Sequence, residues 1–179
     1  MMEIILKRLD LEAVSMTRVE FSKENYDKLF PKGIVKTPLG FVKLGGHQFE
    51  KLKEKKREYL LGAMYQTLAY PVVIIAERTV ESDAYLYIKS FKSENKLEFV
   101  VSVVVDIEGT AVSISTGIRR KAQIYAKIKT AGSPLYITRG SDSQTHGTGE
   151  NSPLPGTILS SDISKKVKPP NGAASKETS

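Results

Sequence analysis

LEFVVSVVVDIEGTAVSISTG, residues 97–117, is the stretch on which the fold turns. Two extended runs, Leu97–Ile107 and Thr110–Ser115, flank Glu108-Gly109, a pair suited to the left-handed backbone of a tight hairpin turn. Phe99–Val105 is apolar at nearly every position, the pattern of a central strand covered on both faces. Upstream, Val72–Glu77 and Tyr85–Lys92 read as two more strands, with Ser93-Glu-Asn95 as the connecting turn. Four strands joined in this way predict an antiparallel meander.

The cover for that sheet lies before it. From about His47 to Tyr65, Phe49, Leu52, Tyr59, Leu60, Ala63 and Thr67 fall on one side at helical spacing, and Pro71 ends the helix. Ser22 is a candidate cap for a short helix near 23–29. Ile34–Thr37 and Phe41–Leu44 flank Thr37-Pro-Leu-Gly40, where proline second and glycine fourth suit a β-turn. After Thr116-Gly117 a second helix is expected over Ile118–Lys129, and Leu135–Ile137 as an edge strand. The expected class is α+β: an N-terminal helix and hairpin, a long helix packed on a four-stranded antiparallel meander, a short C-terminal helix and a disordered tail.

Composition bounds the rest. The chain has 179 residues, which fits one domain with a tail. It has no cysteine, which excludes disulfides, thiolate metal sites and a thiol nucleophile. Its only histidines are His47 and His146, so one chain cannot build a three-histidine metal site, and neither metal nor cofactor is expected. No apolar run approaches the roughly 20 residues of a membrane span. Met1–Leu9 lacks the features of a secretory signal, so cytoplasmic synthesis is expected, with no membrane partner. From Arg139 onward Gly, Ser, Thr, Pro and Lys dominate; 1–138 reads as the folded domain and 139–179 as a flexible polar tail, in which only Thr157–Ile163 is strand-like. Lys and Arg exceed Asp and Glu by 22 to 16 over 1–138 and by 5 to 4 over 139–179. The positive domain favours a polyanionic partner, most often nucleic acid.

The sequence carries no phosphate-loop, dinucleotide, zinc-protease or nucleophile-elbow motif. His47, at a helix start and on the same face as Lys51, Glu54 and Glu58, is placed to transfer a proton near neutral pH, or simply to cap the helix or decorate a solvent face. Arg78 and Lys89 are cations on or beside the sheet, able to clamp a phosphate or to guard a strand. Ser115 and Thr116 end a strand, where a hydroxyl can hold a phosphate or cap a helix. Arg119, Arg120 and Lys121 oppose the dipole of the helix they would begin, a local cost that an anion would offset.

Taken together, TPLGFVKLGGHQFEKL (37–52), VSISTGIRRKAQIYAKI (112–128) and PLYI (134–137) resemble the phage-borne members of the barnase/EndoU/colicin/RelE-like nuclease superfamily. The resemblance covers about Gly33 to Ile137. It implies a helix-then-four-stranded-sheet domain that cleaves RNA, tRNA included, without metal, through attack of the ribose 2′-hydroxyl on the adjacent phosphate. It also implies a toxin or effector, phage-associated or delivered to a target cell, with a neutralising immunity or antitoxin protein as partner. Carried onto this chain, the helix-start histidine matches His47, the strand cation Arg78 or Lys89, and the strand-end hydroxyl Ser115 or Thr116; the expected catalytic residues are drawn from these, and the basic residues Lys51, Arg119, Arg120 and Lys121 are the candidates to hold RNA. The second histidine of EndoU-type sites has no counterpart. The alternatives are a nucleic-acid-binding module without catalysis and a structural or interaction domain of a phage particle.

Overall fold

The computed structural model describes residues 1–78 and 83–139, and the main chain of 156–158. The chain begins with α1 (Met2–Leu11) and β1 (Val14–Ser15), then α2 (Lys23–Leu29) and the hairpin β2 (Ile34–Thr37) and β3 (Gly40–Leu44). Helices α3 (Gln48–Glu54) and α4 (Leu61–Ala69) lead to strands β4 (Val73–Arg78), β5 (Asp83–Ser93), β6 (Lys96–Ile107) and β7 (Thr110–Arg119). Helix α5 (Lys121–Ala131) and strands β8 (Tyr136–Thr138) and β9 (Gly156–Ile158) complete the described chain.

One mixed sheet of nine strands organises these elements, eight of them in the spatial order β2-β3-β7-β6-β5-β4-β8-β9, curled into a half-barrel. β1 adds in parallel to Phe91 and Lys92 of β5, beyond the point where β4 stops pairing. β3 joins β7 in parallel at Lys43–Leu44. This corrects the expected long helix on a four-stranded meander. The four strands of the 73–119 region pair antiparallel in sequence order, but they form the middle of a larger sheet whose other members come from the hairpin, the N-terminus and the C-terminal segments. Short strands that pair only with distant partners leave little local periodicity to read.

Both faces of the sheet are covered. Helices α2, α3 and α4 bury Tyr26, Phe30, Leu52, Leu61, Met64 and Leu68 against Ile74, Tyr87, Val104 and Tyr136. On the opposite face α1 contributes Ile5 and Leu9, and α5 Ile124 and Ile128, against Val73, Ile75, Leu86, Ile88 and Val101. The nearly continuous apolar run Phe99–Val105 of β6 follows from this double cover. Sequence reading passed over α1, whose Ile5 and Leu9 are an i, i+4 pair on its buried face.

Two boundaries differ from the sequence expectation in ways that create the site. The single helix over 47–65 is instead α3, a turn at Glu58–Leu60, and α4. α3 ends in a Schellman motif: the Arg57 N–H donates to Leu52 O at 2.7 Å and the Lys56 N–H to Lys53 O at 3.1 Å, with Lys56 at φ +55°. Glycine usually marks such a stop, and here a lysine hides it. Downstream, the expected helix start at Ile118 is still strand: Gly117 pairs with Val101 and Ile118 with Val100. α5 begins only at Lys121, after the Arg120 N–H donates to Gln123 Oε1 at 3.0 Å.

Leu135–Ile137 was expected at an edge, yet β8 lies between β4 and β9. Most of the expected tail, including His146, lies outside the described residues. Among the described residues no helix is long and apolar enough to cross a membrane.

Candidate nucleic-acid interface

β3 leaves β7 at Ser113, where the Gly45 N–H donates to Ser113 O at 2.9 Å. Past that point the outer edge of β7 has no strand beside it among the described residues. α3 starts three residues after Gly45, and its cations meet the open edge. Lys51 Nζ donates to Ile114 O at 2.9 Å, and Arg57 Nη1 to Thr116 O at 2.9 Å. A β-bulge sets the register here, since Val103 faces Ser115 while Val104 faces Ser113, leaving Ile114 as the extra residue.

A chain of buried polar groups fixes the two elements together. Gln48 Nε2 donates to Ser113 Oγ at 3.0 Å, Ser113 Oγ lies 3.0 Å from Ser102 Oγ, and Ser102 Oγ 2.9 Å from Thr116 Oγ1. All four residues are buried. Their mutual bonds satisfy groups that would otherwise cost about 1–3 kcal/mol each to bury. Thr116 thus belongs to the scaffold. Ser115, one residue earlier, stands opposite Val103 and leaves the strand on the other face from Thr116.

Between α3 and β7 lies a cleft of about 30 Å³ lined by Gln48, Lys51, Leu52, Lys55, Arg57, Ser115 and Thr116. No carboxylate is among its lining residues. Arg57 reaches it by lying flat on Gly117: a Cβ there would stand 2.9 Å from Nη1 and 3.0 Å from Cζ. His47 is the exposed residue preceding α3, and its side chain makes no capping bond. Its carbonyl accepts from the Lys51 N–H and that of Lys51 from the Lys55 N–H, so His47, Lys51 and Lys55 follow one another on one side of the helix.

The remaining sequence candidates sit elsewhere. Lys89 is 8% exposed beneath the far end of α4, where its Nζ donates to Tyr70 O at 2.6 Å. Burial lowers its pKa from 10.5 to about 8, against a smaller upward pull from Glu12. Arg57 precedes α4 and Tyr70 follows it, so the two cations are separated by about the length of that helix, roughly 13 Å. Arg78 is exposed at the end of β4, paired in register with Asp83, and borders a hollow with Glu77 and Lys127. Glu77 and Lys127 form an ion pair there. Arg119, Arg120 and Lys121 follow β7 beyond Arg57, with Lys121 Nζ 5.4 Å from the centre of the Tyr125 ring. Hydrogen bonding to Tyr125 raises the Lys121 pKa.

The structure therefore brings His47, Lys51, Ser115 and Thr116 to one edge and leaves Arg78 and Lys89 apart from it. Sequence reading missed Lys55 and Arg57, which fall inside the span expected as one continuous helix. The signal was the run KEKKRE (53–58), too rich in charge for a helix with a buried stripe.

Comparison with protein-family models, with curated proteins and with solved structures finds no match to this chain.

Proposed function

We propose that the protein binds RNA through the phosphates of the strand, along the edge formed by α3 and β7. The observation that carries this is the convergence of Lys51, Lys55 and Arg57 on one cleft with no carboxylate among its lining residues. Arg57 offers a planar guanidinium, suited to paired bonds with phosphate oxygens, while the lysines act as point charges. Arg119–Lys121 extend the positive edge by a few residues, about 20 Å in all from Ile114. Titrating a labelled RNA with salt tests this: affinity falls with rising salt at a slope of about 0.7 per phosphate contacted. Binding indifferent to salt overturns it.

His47 favours a second reading, metal-independent RNA cleavage, because it is exposed and lies one turn ahead of Lys51, which lines the cleft. His47 would take the proton of a 2′-hydroxyl as it attacks the neighbouring phosphate; the P–O5′ bond breaks and the leaving 5′-oxygen takes a proton from water, giving a 2′,3′-cyclic phosphate and a 5′-hydroxyl. Incubation with total RNA and tRNA in EDTA, beside His47→Ala, separates the readings. Cyclic-phosphate ends from the parent alone support cleavage; intact RNA with retained binding leaves the binding module.

A further inference from the structure

Tyr59 is placed by sequence on the apolar stripe of a long helix, yet its side chain is 46% exposed. The break after α3 puts it on the short turn Glu58–Leu60, where Leu60 takes the buried position against Ala63, Phe91 and Val100. An aromatic ring is thereby held at the surface by a well-anchored neighbour. Beside it opens a cleft of about 180 Å³, floored by Phe91 and bordered by Arg18, Lys92 and a single carboxylate, Glu98. Arg18 and Lys92 are both exposed.

This cleft and the α3–β7 cleft adjoin the same Arg57–Leu60 turn. Arg57 rests on Gly117 of β7, and Tyr59 borders the end of β5. β6 alone separates those strands, and Gly117 stands in register with Ile88, three residues short of Phe91, so the two sites are about 14 Å apart, a span bridged by a short run of one strand. The Tyr59 cleft is the roomier of the two.

We propose that a nucleobase stacks on Tyr59 while the phosphate of the same strand sits at Lys51, Lys55 and Arg57, so that the ligand is single-stranded RNA. This rests on the RNA-binding reading above and sharpens it. Bases within a duplex have both faces occupied by stacking and cannot offer one to a side chain, whereas unpaired bases stack readily on tyrosine. The recognition is tolerant of sequence, because every base has a stacking face.

Fluorescence anisotropy with three labelled probes of roughly 12 units tests it: a single-stranded RNA, a ribose-phosphate strand without bases, and an RNA duplex. The parent is expected to prefer the first over the second by at least about fivefold, the lower end of what stacking one base supplies. Tyr59→Ala removes that preference and leaves binding of the baseless strand unchanged, and Tyr59→Trp retains it. Arg57→Gln weakens both probes. A parent that binds the two strands alike, a duplex bound as tightly as the single strand, or an unaltered preference in Tyr59→Ala overturns the stacking proposal while the phosphate reading stands. A parent that binds no probe even at low salt overturns both.

Discussion

Lys89 beneath α4 and Lys51 at the edge of β7 both donate to a main-chain carbonyl, at 2.6 and 2.9 Å, in surroundings that give the bond different consequences. Around Lys89 water is excluded: the residue is 8% exposed, and burial lowers its pKa from 10.5 to about 8. Lys51 is exposed. Its ammonium can leave Ile114 O for a phosphate, because water satisfies the carbonyl at little cost, whereas Lys89 is itself buried and its ammonium would lose its bond to Tyr70 O with little water to replace it. Burial thus sorts the cations into a structural one and a set free to meet a ligand. Arg57 is intermediate: half-buried, and bonded to Thr116 O while its guanidinium borders the cleft.

The largest effect that would break this division is on RNA binding. Replacing Lys51, Lys55 and Arg57 together by glutamine is expected to weaken binding at least about a hundredfold and to reduce the salt slope by about 2. Thermal unfolding should move little by comparison, since the Gln48–Ser113–Ser102–Thr116 chain remains. Binding that survives the triple change, with Lys89→Met weakening it instead, would reverse the assignment of the two regions.

Next in size is the pH response of Lys89. An unfolded lysine keeps its proton to about pH 10.5, while the buried one releases it near 8, so between those values the unfolded chain holds more protons and stability rises with pH. From pH 8 to 9.5 the gain is about 1.5 kcal/mol, and below 8 the cost of burying the charge is fully present. Denaturant unfolding at several pH values should show the rise in the parent and its loss in Lys89→Met. The window closes near pH 10, because burial holds Tyr26 and Tyr136 protonated to about 12 while unfolded tyrosines ionise near 10, which turns the slope downward.

How far these regions were legible follows from the same contrast. The β4–β7 segment announced itself through valine-rich runs and Glu108-Gly109, whose two positive φ values make the tight turn. The hairpin β2–β3 was readable from Pro38 and Gly40, but its parallel docking on β7 was not, because parallel pairing leaves no local signature. His47, Lys51, Ser115 and Thr116 were singled out singly, and the fold gathers them. Lys89 looked like a surface or catalytic cation because alternation along a strand does not say which helix covers which face. Arg57 and Tyr59 were hidden by Lys56, which adopts the left-handed conformation that sequence reading reserves for glycine.

A smaller effect concerns the support of Arg57. Alanine at Gly117 would bring a methyl to 2.9 Å from Nη1, and the guanidinium, at the end of a flexible side chain, should yield rather than the strand. RNA affinity is then expected to fall severalfold with an almost unchanged unfolding midpoint. Equal losses in Arg57→Gln and the Gly117→Ala/Arg57→Gln double variant would show that the glycine acts through Arg57. Additive losses would mean that the strand itself had moved.

Smallest of all is the stability effect of Lys51→Met. The Lys51–Ile114 bond is exposed and competes with water on both partners, so its removal should shift unfolding by no more than about 0.5 kcal/mol. The same substitution removes one positive contact, so the salt slope for RNA should fall by about 0.7. A large loss of stability with an unchanged salt slope would make Lys51 a structural residue like Lys89, and the open edge of β7 would then need its lysine for the fold itself. The expected pair of results, a small stability change with a measurable loss of salt dependence, requires that the bond to Ile114 O be a resting position from which the ammonium moves to its ligand.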